Sequence, residues 1–306
     1  MVLTLVTVLA GVLLLMVLSV GAVWWRQERI AYQPPAENPA PPQSVERVEF
    51  AASDGQPLYA YIIEPSAGMS AAVGVLIAFH GNADLATWQV GWARDVARRT
   101  NWCVVLAEYR GYGGLPGTPD YEGVRRDARA TWEYVRNAVA SSRPIAVFGH
   151  SLGSAVAVEL ATELVDEGAT TSPVMLLLQS PFTSAREMVR VVSTRPVHAL
   201  WNLIARVHYD TRAKLPRLAI PVWIAHGERD RLVPVAMGRE LHATCDRPGK
   251  LLVVDEAGHN DVDERGATTY WQWMTDALTA AAATTARVSL SSGDQSESRR
   301  RIGTSG

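Results

Sequence analysis

Acyl transfer by a serine nucleophile needs a serine, a basic histidine and a carboxylate, and this 306-residue chain carries candidates for all three. Ser151 is the central residue of the pentapeptide Gly-His-Ser-Leu-Gly at 149–153. The residues before it are apolar and those after it favour a helix, so the pattern predicts a strand that turns sharply into a helix at Ser151. Such a turn brings strand and helix too close for a Cβ at Gly149 or Gly153. The sequence therefore predicts an exposed nucleophilic hydroxyl above the N-terminus of a helix.

The acid and the base should follow later strands, in the chain order serine, acid, histidine. Asp230 follows an apolar strand that ends at His226, and His259 follows the last predicted strand. We predict that His259 is the general base and that the Asp230 carboxylate fixes its tautomer. Other residues of the right type leave alternatives open: Glu228 or Asp255 as the acid, and His80, His198, His208, His226 or His242 as the base.

The oxygen of a tetrahedral intermediate needs two N–H donors. We predict the backbone N–H of Leu152, next to the nucleophile, and the backbone N–H of Asn82, in the loop after the strand that ends at Phe79. Because the donor is a peptide group, the side-chain amide of Asn82 is not required for this role. The chemistry needs no metal, and the glycine-rich loop at 111–114 lacks the spacing of a phosphate or dinucleotide site, so we expect no cofactor.

The elements that must position these residues alternate between strand and helix patterns over 45–283. This alternation predicts an α/β domain with a mostly parallel central sheet and helices on both faces. No repeat or second core is apparent, so we expect one domain. The predicted strands are Arg47–Ala52, Leu58–Glu64, Val73–Phe79, Cys103–Tyr109, Ile145–Gly149, Val174–Gln179, Ile220–His226 and Leu251–Asp255.

An insertion at about 180–218 lies where a cap over the site would be expected. It carries a short apolar helical patch. We predict that Trp201 and Ile204 of this patch line an acyl pocket above Ser151, or that the patch dips toward the bilayer. Packing of the same patch against the sheet edge explains the pattern equally well.

The first 25 residues contain no charged side chain and are long enough, at about 1.5 Å per residue, to span a hydrocarbon layer of about 30 Å. Trp24 and Trp25, followed by Arg26 and Arg29, are typical of the membrane interface. We predict a single-pass membrane anchor at 1–25. The alternative is a cleaved signal peptide, which typically has a basic start and a shorter apolar core; this segment has neither. The two arginines weakly favour a cytoplasmic catalytic domain.

Two flanking segments have compositions that do not favour a packed fold. Five prolines at 34–42 predict that 26–44 is an extended spacer that lifts the domain off the membrane. The tail at 284–306 has almost nothing to bury and is predicted to be disordered. A net charge of −2 gives no reason to expect a nucleic-acid partner. We expect a monomer whose partners are an acyl substrate and the bilayer, the latter through residues 2–25.

Taken together, the motifs resemble a known group of enzymes. The carrying segments are His-Gly-Asn-Ala at 80–83, Tyr-Arg-Gly-Tyr-Gly at 109–113, the pentapeptide at 149–153, Gln-Ser-Pro-Phe-Thr-Ser at 179–184, His226 to Pro234 and Gly-His-Asn at 258–260. They resemble the membrane-anchored α/β-hydrolases of the Bem46 type, which are related to the ABHD13 and ABHD17 groups. At Gly114 the chain departs from the group, which usually has a serine after Gly-Tyr-Gly.

The resemblance implies an α/β-hydrolase fold preceded by one N-terminal transmembrane helix, and hydrolysis of esters or thioesters. Some members of the group remove acyl chains from proteins. We therefore expect a membrane-anchored serine hydrolase with a Ser151, Asp230 and His259 triad. The alternatives are a catalytically idle interaction module at the membrane, and a peptidase or lipase of the same fold.

Overall fold

The computed structural model of the protein describes residues 2–40, 45–169, 171–192, 201 and 204–302. A central sheet holds this part of the chain together. Its eight strands are β1 (Glu46–Ala51), β2 (Pro57–Ile63), β3 (Gly74–Phe79), β4 (Trp102–Ala107), β5 (Ile145–His150), β6 (Leu176–Gln179), β7 (Val222–Gly227) and β8 (Pro248–Val254).

The strands stand in the order β1-β2-β4-β3-β5-β6-β7-β8. β1 and β2 form an antiparallel hairpin, and β2 also runs antiparallel to β4, whereas all neighbours from β4 to β8 are parallel. Every residue of β3, β4 and β6 is buried, which explains why these strands read as continuous apolar runs. The predicted fold class is confirmed, and each predicted strand overlaps an observed one to within a few residues.

Helices cover both faces of the sheet. The α-helices of the described residues are α1 (Val2–Ala31), α2 (Val90–Thr100), α3 (Tyr121–Tyr134), α4 (Leu152–Asp166), α5 (Ala185–Val192), α6 (Thr211–Lys214), α7 (Val235–Thr244) and α8 (Val262–Ile302). Side chains of α3 and α4 belong to the apolar cluster on one face, and side chains of α2 and α8 belong to the cluster on the other. Because β3 to β8 are parallel, the loops after β3, β5, β7 and β8 meet at one edge of the sheet.

The N-terminal helix differs from the prediction at its end. α1 has exposed apolar side chains from Leu5 to Leu18 and is long and apolar enough to cross a membrane. It continues to Ala31, however, and Gln27 and Tyr32 are buried against the catalytic domain. The predicted extended spacer at 26–44 therefore differs from the structure at its start, where 26–31 are helical and Gln27 is buried. Residues 41–44 lie outside the described residues.

Two further segments complete the comparison. In the insertion at 180–218 the described part contains α5 and α6, and a single bridge between Ser184 and Asp210 joins its two ends. The sequence predicts a disordered tail from 284, but the backbone of the structure is helical there: α8 bends at Ala267 and then continues to Ile302. Its sequence has no proline to interrupt a helix, although it has little to bury. Residues 303–306 lie outside the described chain.

Candidate active site

Three side chains from different loops form one hydrogen-bonded chain at the carboxyl edge of the sheet. Ser151 Oγ lies 2.9 Å from His259 Nε2, and His259 Nδ1 lies 2.6 Å from Asp230 Oδ2. Because the carboxylate can only accept, Nδ1 carries the proton, and the lone pair of Nε2 points at the serine hydroxyl. The structure thus brings together the three residues predicted as nucleophile, base and acid, in the arrangement that can deprotonate a serine.

The turn that presents Ser151 is tight and strained. Ser151 has a φ of 52°, a conformation that non-glycine residues rarely adopt. A Cβ on Gly149 would lie 2.2 Å from the carbonyl oxygen of Gly153, and a Cβ on Gly153 would lie 2.1 Å from that of Phe79. Only glycine allows β3, β5 and α4 to approach this closely. The close contacts keep Ser151 at the N-terminus of α4, where peptide N–H groups are free to bind an anion.

Asp230 is held in one orientation by four contacts. Its Oδ1 accepts the backbone N–H groups of Leu232 and Val233, each at 2.8 Å. Its Oδ2 faces His259 and also lies 3.3 Å from His226 Nε2, which donates to the Val233 carbonyl at 2.9 Å. Burial by itself raises the pKa of the Asp230 carboxyl, but the hydrogen bonds from His226 and His259 more than offset it and hold the pKa well below its usual range. Asp230 is therefore an anion at neutral pH.

The backbone of the histidine is braced as well. The His259 carbonyl accepts from His150 Nε2 at 3.2 Å and from Ser180 Oγ at 3.1 Å. Burial, and then the neighbouring His259, lower the pKa of His150 to about 3, so His150 is neutral and serves as a fixed donor. The sequence did not indicate these two supports, since His150 and Ser180 reach His259 only through the fold.

The loop after β3 lies directly against the nucleophile. A Cβ on Gly81 would be 3.5 Å from the Cβ of Ser151, so the peptide that follows Gly81 borders the reaction centre. Beneath the loop, His80 Nε2 donates to Glu108 at 2.7 Å and His80 Nδ1 donates to the Gly81 carbonyl at 2.8 Å. Burial disfavours the charged form of His80, but the Glu108 carboxylate outweighs it and raises the pKa of His80. A buried ion pair thus supports the loop that carries Asn82.

The Asn82 side chain contacts the end of the N-terminal helix and the chain that follows it. Its Nδ2 donates to the Ala31 carbonyl at 2.8 Å, and its Oδ1 accepts from the Gln33 N–H at 2.9 Å and from the Tyr112 hydroxyl at 2.8 Å. Since two partners are backbone groups of fixed polarity, the orientation of the amide is unambiguous. The sequence did not predict this contact, because Gln33 lies within the expected spacer.

The rival acids stand outside this chain of hydrogen bonds. Glu228 is exposed and pairs with Arg239 at 2.7 Å, and Asp255 is exposed. Among the rival bases, His242 donates to the Gly249 carbonyl at 2.8 Å and His208 stacks edge-on against Tyr121. His198 lies outside the described residues.

The two predicted pocket residues are not brought to Ser151 by any contact in the described chain. Trp201 is buried and borders a cavity of about 240 Å³, which Glu187, Tyr209 and Arg212 also line. Ile204 is half-buried, and its carbonyl accepts a hydrogen bond from Gln27 Nε2 at 3.2 Å. Their role in binding an acyl chain stays a prediction.

A parallel sheet in this order, with a serine at a strained strand-to-helix turn and a histidine and an acid on the following loops, defines the class of α/β-hydrolases. Comparison with known proteins agrees. The family model "Serine aminopeptidase, S33" matches residues 70–208. The esterase Pf2001 of Pyrococcus furiosus superimposes with a TM-score of 0.62 at 18% identity, over 81% of this chain and 95% of its own. An esterase of Exiguobacterium antarcticum gives a TM-score of 0.56 at 17% identity, over 76% of this chain and 99% of its own.

Several known proteins are similar in sequence. "Uncharacterized protein Rv2307c" of Mycobacterium tuberculosis is 32% identical over 249 residues, which cover 78% of this chain and 82% of that protein. "Lysophosphatidylserine lipase ABHD12" of Danio rerio is 30% identical over 149 residues, which cover 45% of this chain and 38% of that protein. The chain belongs to the same family as the mycobacterial protein, and its fold is that of an α/β-hydrolase. Its fold and the contacts that join Ser151, His259 and Asp230 are those of a serine hydrolase.

Proposed function

We propose that the protein is a membrane-anchored serine hydrolase that cleaves carboxylic esters or thioesters through an acyl-enzyme on Ser151. The observation that carries the proposal is the unbroken contact from Ser151 Oγ through His259 to Asp230, at 2.9 and 2.6 Å. Both distances lie within the reach required of a nucleophile, its base and the group that orients the base.

The chemistry follows from these contacts. His259 Nε2 takes the hydroxyl proton as Ser151 Oγ bonds to the acyl carbon, and the carbonyl electron pair moves to the oxygen. The tetrahedral intermediate then collapses, its bond to the leaving oxygen or sulfur breaks, and the imidazolium returns the proton to that atom. A water molecule repeats the sequence on the acyl-enzyme, which releases the acid and restores the serine. Asp230 remains ionised throughout and stabilises the imidazolium.

The negative oxygen of each intermediate is bound by two backbone donors in this proposal, the N–H groups of Leu152 and Asn82. Leu152 is the first residue of α4, whose helix dipole also favours an anion there. Asn82 follows Gly81, which lies against Ser151. Such preorganised donors contribute about 10²- to 10³-fold each to kcat in related chemistry.

The membrane setting is proposed from α1. Its apolar stretch has the length and composition of a membrane span, a property that it shares with a signal sequence. Docking of Gln27 and Tyr32 against the domain favours retention of the helix in the mature protein. Arg26 and Arg29 favour the cytoplasmic side. We propose the same layout as in the Bem46, ABHD13 and ABHD17 groups.

The substrate class is proposed from the relatives. A lysophosphatidylserine lipase and esterases among them support an acyl ester, including lipid-like ones. The matching family model bears the name of an aminopeptidase, so cleavage of an aminoacyl amide is the second candidate. Trp201, buried beside a cavity in the insertion, is proposed to contact the acyl chain.

A fluorophosphonate probe and a set of soluble substrates test the proposal. We expect the full-length protein in detergent to be labelled, and Ser151→Ala to abolish both labelling and hydrolysis of p-nitrophenyl butyrate. Hydrolysis of an aminoacyl p-nitroanilide in preference to the ester would favour the peptidase. Absence of labelling in folded protein would favour an idle interaction module.

Acyl-chain length gives a separate test of Trp201. We expect Trp201→Ala to reduce kcat/KM on p-nitrophenyl decanoate by about tenfold more than on the acetate, because one lost apolar contact costs about 1–3 kcal/mol. An equal effect on both esters would refute the acyl-pocket role and leave the role of Ser151 unaffected.

A further inference from the structure

The C-terminal end of α1 is capped by a residue of the loop that borders the nucleophile. The last carbonyls of a helix have no partner within the helix and must find one elsewhere. Here the Ala31 carbonyl accepts from Asn82 Nδ2 at 2.8 Å, and the next turn of chain returns the Gln33 N–H to Asn82 Oδ1 at 2.9 Å. The Tyr112 hydroxyl donates to the same Oδ1 at 2.8 Å. We call the four residues Ala31, Gln33, Asn82 and Tyr112 the anchor clamp.

Further contacts seat the same end of α1 on the insertion. Gln27 Nε2 donates to the Ile204 carbonyl at 3.2 Å, and Gln27 Oε1 accepts the Arg206 N–H at 2.7 Å. Arg206 also pairs with Glu28 at 3.0 Å. The buried hydroxyls of Tyr32 and Tyr209 lie 3.1 Å apart. The helix end is therefore held on two sides, by the insertion and by the loop after β3.

The loop that contains Asn82 needs outside support to keep its shape. Ala83, the next residue, has a φ of 54°, which a residue with a Cβ adopts only when its surroundings hold it there. His80 fixes the start of the loop through Glu108, at 2.7 Å. Beyond Gly81, the side chain of Asn82 makes three hydrogen bonds, one to each of the other three residues of the anchor clamp.

We propose that the Asn82 side chain is a positioning residue: by clamping the end of α1, it aims its own backbone N–H at the oxyanion. The inference rests on the proposed function, in which that N–H is one of the two donors. The side chain does not touch the substrate, and it acts through the peptide to which it belongs. The N-terminal helix is then part of the catalytic apparatus as well as a tether.

A change of about 1 Å in the position of an oxyanion donor is enough to impair it, because donors work only about 2.7–3.1 Å from the oxygen. Loss of the anchor clamp frees the Asn82 peptide to turn but leaves its N–H in the chain. We therefore expect a loss smaller than deletion of a donor, about 10- to 100-fold in kcat. KM should change by less than about threefold, since oxyanion donors act mainly on the transition state.

The test uses full-length protein in detergent with p-nitrophenyl butyrate, so that access to a membrane substrate plays no part. Two variants open the clamp from opposite sides: Asn82→Ala removes the three hydrogen bonds, and a Gly-Gly insertion after Ala31 displaces the helix end. Two matched controls are Asn137→Ala, at an exposed asparagine, and the same Gly-Gly insertion after Gly21, in the exposed stretch of α1. Rates are normalised to the serine content titrated with the fluorophosphonate.

A boronic acid separates positioning from mere stabilisation. Phenylboronic acid adds to a serine oxygen as a tetrahedral anion and so reports on the oxyanion donors. We expect its inhibition constant to rise by the same factor as kcat per titrated serine falls in both clamp variants, and neither quantity to change by more than about twofold in the controls.

The inference is overturned if both clamp variants keep kcat per titrated serine and the boronate constant within about twofold of the parent. It is also overturned if the insertion after Gly21 is as harmful as the insertion after Ala31. Ser151→Ala, measured in parallel, keeps the two proposals apart. Activity that survives in Ser151→Ala refutes the acyl-enzyme, whereas activity lost there but unchanged in the clamp variants refutes only the positioning role.

Discussion

Replacing Asp230 by asparagine changes the hydrogen-bond chain of the active site with almost no change of shape. The Leu232 and Val233 N–H groups, each 2.8 Å from Oδ1, require an acceptor, so the amide oxygen of the asparagine must stay there. The amide NH₂ then faces His259 Nδ1, where the carboxylate oxygen stood at 2.6 Å. Two donors cannot share this contact, so His259 must place its proton on Nε2 and present an N–H to Ser151.

The size of the effect follows from what the variant loses and keeps. It loses the base that accepts the hydroxyl proton, and it keeps both proposed oxyanion donors. In serine proteases the equivalent change lowers kcat by about 10⁴-fold, which corresponds to about 5 kcal/mol of transition-state stabilisation. We expect a similar loss here, with KM nearly unchanged because Asp230 is buried beneath the histidine and does not contact the substrate.

The assay is steady-state hydrolysis of p-nitrophenyl butyrate by full-length protein in detergent, with active sites titrated by the fluorophosphonate. Glu228→Gln is the matched control: it makes the same chemical change at the rival acid, whose exposed carboxylate pairs with Arg239. We expect this control to retain its rate to within about twofold, because exposed ion pairs contribute little. A loss of less than tenfold in Asp230→Asn, or an equal loss in Glu228→Gln, would refute the assignment of the acid.

Two further predictions concern the support of the site. Gly153→Ala should lower kcat, measured per folded protein, by more than about 100-fold, because the new Cβ would lie 2.1 Å from the Phe79 carbonyl oxygen. The control is Gly91→Ala, which should fold and react normally because its Cβ would meet no atom within 4 Å. Glu108→Gln should lower the free energy of unfolding at pH 6 by about 3 kcal/mol, because it breaks a buried ion pair with His80. Burial opposes the charge on His80, but Glu108 outweighs burial and raises the pKa of His80 above its ordinary value. The ion pair therefore stabilises the fold fully below about pH 6.5, the pKa of an unperturbed histidine. This contribution to the free energy of unfolding is lost as the pH rises through the raised pKa. Urea unfolding followed by tryptophan fluorescence at pH 6 and pH 9 should show this decline in the parent and a flatter profile in Glu108→Gln; equal slopes would contradict the assigned charge state.

The fold and the reacting residues could be predicted because their signals are local. A short apolar run such as that of β3 favours a buried strand, and a glycine-flanked serine between a strand and a helix predicts the turn at Ser151. The positions of Asp230 and His259 follow from the order of strands, and the structure brings both to the serine. Their catalytic roles stay predictions.

The supports of the site could not be predicted, because their partners are distant in sequence. Gln27 and Tyr32 each meet partners 177 residues away, and no pattern in the proline-rich segment distinguishes a docked helix end from a free spacer. His150 and Ser180 converge on one carbonyl only after the sheet has formed. The extra length of α8 could not be predicted either, because a sequence poor in apolar residues carries no periodic pattern that would indicate a helix.

The docked end of α1 also limits the distance between the catalytic domain and the membrane. Six residues, Arg26 to Ala31, lead from the end of the proposed anchor at 1–25 into the anchor clamp, and at about 1.5 Å per residue they span about 9 Å. With the proposed anchor in place, the clamp lies no farther than this from the hydrocarbon boundary, whatever the tilt of the helix. Acyl groups dissolved in the same leaflet would meet the enzyme by lateral diffusion. Turnover of such substrates would then follow their mole fraction in the surface, and dilution with an inert lipid would slow the reaction at constant bulk concentration.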